Sequence, residues 1–117
     1  MLNEKEDSIT LLKQIESKDL IIPLIRQINK DANLSGLDLD LAENLRPKQI
    51  VDQLYQIFQK LVTNNFDGLL NFLYRVDLSE SVLKSIQQRM PEKITEHLTV
   101  LVLKREWQKV YFRNKIR

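Results

Sequence analysis

Only two glycines, Gly36 and Gly68, and three prolines, Pro23, Pro47 and Pro91, punctuate the 117 residues of this chain. Tight reversals need such residues at special backbone angles, and a sheet-rich domain uses them at nearly every strand end. Here they are too few. The apolar residues recur instead at the three- and four-residue spacing of helices almost throughout. The sequence therefore predicts an all-α fold: a compact bundle of five or six helices with short connections and a long C-terminal helix.

The first helix is expected from about Glu4 to Ser17, with Ile9, Leu12 and Ile15 on or near one stripe. The second is expected from about Asp19 to Asn33, with Asp19 as N-cap and Ile21, Leu24, Ile25 and Ile28 as its apolar face. Pro23 then falls in the first turn, where a missing N–H costs little. The clearest helix follows Pro47 at the first helical position, and "RPKQIVDQLYQIFQKLVTNN" gives it a broad apolar face. Asn65 is placed as the cap of the next helix, "FDGLLNFLYRV", which is apolar on most sides and so expected to be central. Ser79 is expected to cap the helix after that, with Asp77 as a rival and Leu78 and Leu83 at hydrophobic-staple spacing. Pro91 opens the last helix, to about Arg113. The expected core contains Leu54, Ile57, Phe58, Leu61, Leu69, Phe72, Leu73, Leu83, Ile86, Leu98 and Leu101.

Hydrophobic residues are 43% and charged residues 29%, as in soluble globular domains. The chain reads as a single helical domain over 1–117, with 104–117 a basic extension of the last helix. The absence of cysteine excludes disulfides, thiolate metal sites and cysteine nucleophiles. No basic segment leads into a long apolar run at the start, so no signal peptide is expected. No stretch approaches the roughly 18 apolar residues of a membrane span. The expectation is a cytoplasmic protein without membrane contact.

"DANLSGLDLDLAE", residues 31–43, resembles a calcium loop in its first half, with Asp31, Asn33, Ser35 and Gly36 at positions one, three, five and six. The closing bidentate glutamate belongs at position twelve. That position is Ala42, and Glu43 falls one residue late. A capped turn accounts for the same residues: Ser35 as N-cap of a short helix, Asp38 near its positive end, Leu34 and Leu39 as a staple, and Leu37, Leu41 and Leu45 at helical spacing. No metal is expected.

Catalytic constellations are equally sparse. His97 is the only histidine and lies in an apolar run, "EHLTVLVL", so it reads as a satisfied helix residue rather than a general base. Two isolated glycines make no phosphate loop. "SVLK" spells Ser-x-x-Lys at 81–84, but its companion motifs are missing. No catalytic residue and no cofactor is assigned.

Charge is distributed unevenly. Residues 1–43 hold five basic and nine acidic side chains, whereas residues 104–117 hold six basic and one acidic. Such asymmetry suggests an interaction tail or a charge-paired contact. In "LKREWQKVYFRNKIR" the cations alternate with aromatics, and Arg105, Lys109 and Arg113 repeat every four residues as one exposed stripe beside Glu106. Ile94, Leu98, Leu101 and Val102 fall on one face of this helix, and Val100, Leu103, Trp107, Val110 and Tyr111 on nearly the opposite one. One straight helix on one flat surface cannot bury both. The segment is a strand around Thr99–Leu103, or a helix threaded between two layers of its own bundle, or a helix whose second half leaves the bundle for another chain. The third is preferred, because the same segment carries the basic charge that could meet the acidic front of a partner subunit, and because interfaces are enriched in Trp, Tyr and Arg. The expected function is a protein–protein interaction or self-association module, with Trp107, Val110, Tyr111, Lys104, Arg105, Lys109 and Arg113 as partner-binding residues. The alternative is nucleic-acid binding by the same basic, aromatic helix.

Overall fold

The computed structural model describes residues 3–88 and 91–116. Six helices follow one another, with no strand among these residues: α1 (Glu4–Ser17), α2 (Ile21–Leu34), α3 (Pro47–Asn64), α4 (Phe66–Val76), α5 (Glu80–Gln87) and α6 (Pro91–Ile116). Met1, Leu2 and Arg117, parts of the terminal segments read above, lie outside the described residues.

Local chemistry sets most helix starts. Asn3 Oδ1 accepts the Glu6 amide at 2.8 Å, and the acidic first turn of α1 suits the positive end of the helix. Pro47 stands at the first position of α3, and Gln49 Oε1 reaches back to accept the Arg46 N–H at 2.8 Å. Asn65 Oδ1 accepts from Gly68 N at 3.0 Å, and Ser79 Oγ from Val82 N at 3.3 Å, so both expected caps are present. Asp77 closes α4 instead of opening α5. It sits in the left-handed region at φ 75°, with its N–H directed to the Leu73 and Tyr74 carbonyls.

Two expected helix starts are corrected. Asp19 does not cap α2; Leu20 holds the cap position, and Asp19 adopts φ 58°. The backbone N–H groups of Lys18, Asp19 and Leu20 all bond back to Ile15 or Glu16 carbonyls, so this link is used in closing α1. Ser35 opens no helix. It closes α2, donating its hydroxyl to the Asp31 carbonyl at 2.7 Å, and Gly36 follows at φ 76°. Residues 37–42 then run without helix along α2. Leu39 and Leu41 are buried there at the alternate spacing of an extended chain. Asn29 holds this segment by accepting from Leu41 N at 2.8 Å and donating to Leu41 O at 2.9 Å.

The core gathers from every helix. Leu54, Phe58, Leu69, Phe72, Leu73, Leu83, Ile86 and Leu98 are buried, while Ile57, Leu61 and Leu101 are partly exposed and packed against the core. Phe58 and Phe72 meet at a centroid distance of 6.1 Å, the tilted geometry aromatic pairs prefer.

At the centre stands α6, which touches all five other helices. Its 26 residues would span about 39 Å at 1.5 Å per residue, close to the 37 Å longest dimension of the molecule. Its apolar residues are buried on opposite faces: Leu98 and Val102 on one, Val100, Leu103 and Val110 on the other. Thr99–Leu103 is helical. The helix therefore threads its own bundle, and the expectation that its second half leaves for another chain is corrected: Val110 is 1% exposed.

Candidate functional site

The C-terminal half of α6 sorts its side chains onto three faces. Leu103, Glu106 and Val110, three and four residues apart, point into the core. Arg105, Lys109 and Arg113 form a row along a second face. Lys104, Gln108, Tyr111, Phe112 and Lys115 cover the third and are all exposed.

The cation row is not the free stripe that its spacing suggests. Arg105 Nη2 donates to Asp77 Oδ2 at 3.0 Å and its Nε to the Asp77 carbonyl at 3.3 Å. Lys109 Nζ donates to Asp31 Oδ2 at 2.8 Å and to the Arg75 carbonyl at 3.3 Å. Arg113 donates to Gln27 Oε1, and Gln27 Nε2 donates to Asp31 Oδ2 at 3.1 Å. The row fastens α6 to α2 and to the C-terminal end of α4, where unpaired carbonyls favour positive charge.

Beneath this row lie two acids. Asp31 is 4% exposed and Glu106 is 0% exposed. Lys109 Nζ also stands 3.0 Å from Glu106 Oε1, an ion-pair distance, but neither Glu106 oxygen completes a directed hydrogen bond. Burial, and then the nearby Asp31 carboxylate, push the Glu106 carboxyl up to about 8. Burial also works to raise Asp31, but the neighbouring Glu106 carboxyl, Lys109 and Gln27 together outweigh burial and hold it below the ordinary value. One lysine thus serves two carboxyls, and near neutral pH Glu106 keeps its proton. A general acid must come within hydrogen-bond reach of what it protonates. The groove bordering this cluster is lined by Pro23, Arg26, Gln27, Lys30 and Arg113, and includes neither Asp31 nor Glu106. The cluster is built to hold helices together. Helical spacing carried the signal for both acids, since Asp31 follows Ile28 by three and Glu106 lies between Leu103 and Val110.

The third face is aromatic and basic. The Trp107 and Tyr111 rings stand 5.7 Å apart, and Tyr111 and Phe112 5.8 Å apart. Tyr111 is 42% and Phe112 54% exposed, whereas Trp107 is half-buried against the core. Lys115 Nζ lies 5.7 Å from the Tyr111 ring centroid, within cation–π range. Since Glu106 is inside, no acid of residues 104–116 offsets the charge of this face. Of the partner-binding residues expected from sequence, Tyr111 and Lys104 are open to solvent, Trp107 is half available, and Val110, Arg105, Lys109 and Arg113 are engaged within the chain.

Two further surfaces stand out. Leu34 and Tyr74, exposed by 52% and 59%, line a groove with Asn71, Arg75 and Asp77 between α2 and α4. At the far end of α6, His97 Nδ1 pairs with Glu4 at 2.8 Å, and Lys5 with Asp52 at 3.3 Å. The Tyr55 hydroxyl is pushed up there by burial and then by Glu96, Glu4 and Asp52. No group of three or more metal-ligating side chains occurs among the described residues, and no described helix is long and apolar enough to cross a membrane.

No protein-family model matches this chain, and no curated protein or solved structure matches it either.

Proposed function

We propose that this chain is a non-catalytic protein–protein interaction module that docks its partner on the aromatic, basic face of the last turns of α6. One observation carries the reading. Trp107, Tyr111 and Phe112 form a continuous run of neighbouring rings, and Tyr111 and Phe112 are exposed, on the helix that is otherwise the centre of the bundle. Large aromatic side chains left in water forgo a substantial burial term. Contact surfaces recover it, and Tyr and Trp are enriched there. The half-buried Trp107 gives the patch a rigid base. The absence of cysteine suits a reducing, cytoplasmic setting.

The test is affinity capture from native lysate with the wild-type chain and with the Tyr111→Ser/Phe112→Ser double variant, after circular dichroism shows that both are folded. The reading requires the variant to lose partners that the wild type retains. Equal capture by both chains would remove it.

A second reading, nucleic-acid binding, has support from Lys104 and from the Lys115–Tyr111 pair. Three tail cations are committed inside the chain, which leaves few to meet phosphates. Polarisation with a labelled oligonucleotide across a salt series separates the two: phosphate binding falls steeply as salt rises.

A further inference from the structure

We infer that the partner is a second copy of this chain, docked head to tail, with the aromatic, basic end of α6 in one copy set against the acidic end of the bundle in the next. This rests on the interaction reading above and gives it an occupant.

The argument begins with the unequal ends of α6. At one end the Glu4–His97 pair fixes the first turn of α1 beside α6. Glu4, Glu6 and Asp7 make that turn acidic, and Glu6 and Asp7 are exposed. Asp52 and Glu96 lie in the same neighbourhood, since Asp52 pairs with Lys5 of that turn and Glu96 precedes the His97 that pairs with Glu4. Lys5 is already paired with Asp52, and Lys93, one turn before His97, is the nearest further cation along α6. At the other end the exposed face holds Lys104, Tyr111, Phe112 and Lys115 and no acid.

These surfaces cannot meet within one molecule. Arg113 is bonded to Gln27 sixteen residues beyond His97 on one unbroken helix. At 1.5 Å per residue Lys104 lies about 10 Å and Lys115 about 27 Å along the helix from His97, beyond the roughly 8 Å screening length at physiological ionic strength. The exposed Glu6 and Asp7 at one end and the exposed Lys104 and Lys115 at the other therefore do not neutralise one another within the monomer. A second copy supplies the complement of both at once, because every copy carries both ends. Tyr111 and Phe112 give the junction an apolar centre, and the lysines around them give it direction and register.

A junction of this kind is heterologous: the two surfaces differ, and each added copy leaves one acidic and one basic end free. Assembly then proceeds to closed rings or open chains rather than stopping at a two-fold dimer.

Charge exchange provides the experiment. One variant carries Lys104→Glu and Lys115→Glu, the other Glu6→Lys and Asp7→Lys, and circular dichroism checks that both fold. Sedimentation velocity at low salt follows each alone, the equimolar mixture and the wild type. The wild type should grow in mass with concentration and revert towards monomer in about 1 M salt, where screening shortens to about 3 Å. Each variant alone should self-associate about tenfold or more weakly, since like charges then face each other at every junction. The mixture should recover association, because the two variants complement each other at both junctions. A wild type that stays monomeric at high concentration would overturn the inference, as would variants that associate unchanged or a mixture that recovers nothing. If the inference fails while Tyr111 and Phe112 still decide what is captured from lysate, the interaction reading stands with a foreign protein as partner.

Discussion

The ammonium of Lys109 stands 2.8 Å from the carboxylate of Asp31, a residue 78 positions earlier in the chain. This contact joins the last helix to the second and is mostly shielded from water, with side-chain exposures of 20% and 6%. Removing one partner of such a pair leaves a buried charge without compensation. Lys109→Met should therefore destabilise the fold by about 3 kcal/mol, the lower end for broken buried pairs. Urea unfolding measures it. Adding Asp31→Asn to that variant should restore part of the loss, because the orphaned charge is then gone. A single-variant cost below about 1 kcal/mol would mean that the pair behaves as an ordinary surface bridge.

Glu106 makes stability depend on pH in a definite direction. Its carboxyl is raised from 4.5 in the unfolded chain to about 8 in the fold, by burial first and by Asp31 second. A raised group contributes stability that is fully present below the unfolded value and lost as pH climbs through the folded value. Stability should fall between about pH 4.5 and 8, by at most about 1.4 kcal/mol per pH unit from this one group, and level off above. Asp31 works in the opposite sense: its lowered value contributes stability above the ordinary carboxylate range that is lost on acidification. Glu106→Gln should remove the slope between about pH 4.5 and 8 while leaving the acid limb. Melting curves collected across pH for both chains check this, and a slope that survives in Glu106→Gln would assign it to another group.

Phe58 and Phe72 are fully buried and in ring contact. Each Phe→Ala change should cost about 3–5 kcal/mol, from lost transfer energy plus the cavity left behind. The double variant should cost less than the two losses together, because the pair shares one contact. Costs below about 1 kcal/mol at both positions would show that the packing of α3 on α4 has been misjudged.

Gly68 and Asn65 are coupled at the start of α4. Asn65 Oδ1 accepts the Gly68 amide at 3.0 Å, and a Cβ on residue 68 would come within 2.3 Å of Asn65 Nδ2. Alanine normally stabilises a helix relative to glycine. Here it displaces the cap. Gly68→Ala should therefore gain little, because losing an N-cap worth about 1 kcal/mol offsets the roughly 1 kcal/mol by which alanine is preferred to glycine in a helix, and should stabilise by about 1 kcal/mol in an Asn65→Ala background, where no cap remains to lose. Thermal unfolding of the four chains in this cycle distinguishes a lost cap from a general intolerance of side chains at 68.

What the sequence determined by itself is local. Pro47, Asn65 and Ser79 mark helix starts because a missing N–H or a side-chain oxygen acts on amides only a few residues away, and that chemistry is the same in any fold. The α1 stripe and the broad face of α3 follow from spacing alone, so the all-α class was legible. Where two local solutions competed, tertiary structure chose. Leu37, Leu39 and Leu41 suit a helix by composition and an extended segment by alternation. The extended form prevails because Asn29 brackets the Leu41 backbone and the core accepts Leu39 and Leu41. Asp31 shares the spacing of the first half of a calcium loop, which the sequence already argued against, and stands in the last turn of α2, bonded to a lysine far along the chain. The fate of α6 was decided in the same way. Its two apolar faces were visible, but whether the second belonged to this chain or another depended on whether α1–α5 close around it. That depends on how many separated surfaces meet in space, a long-range sum to which no short window of sequence has access. The aromatic run at 107–112 could be seen in the sequence; that Val110 faces inward while Tyr111 and Phe112 face water was settled only by the packing of the other five helices.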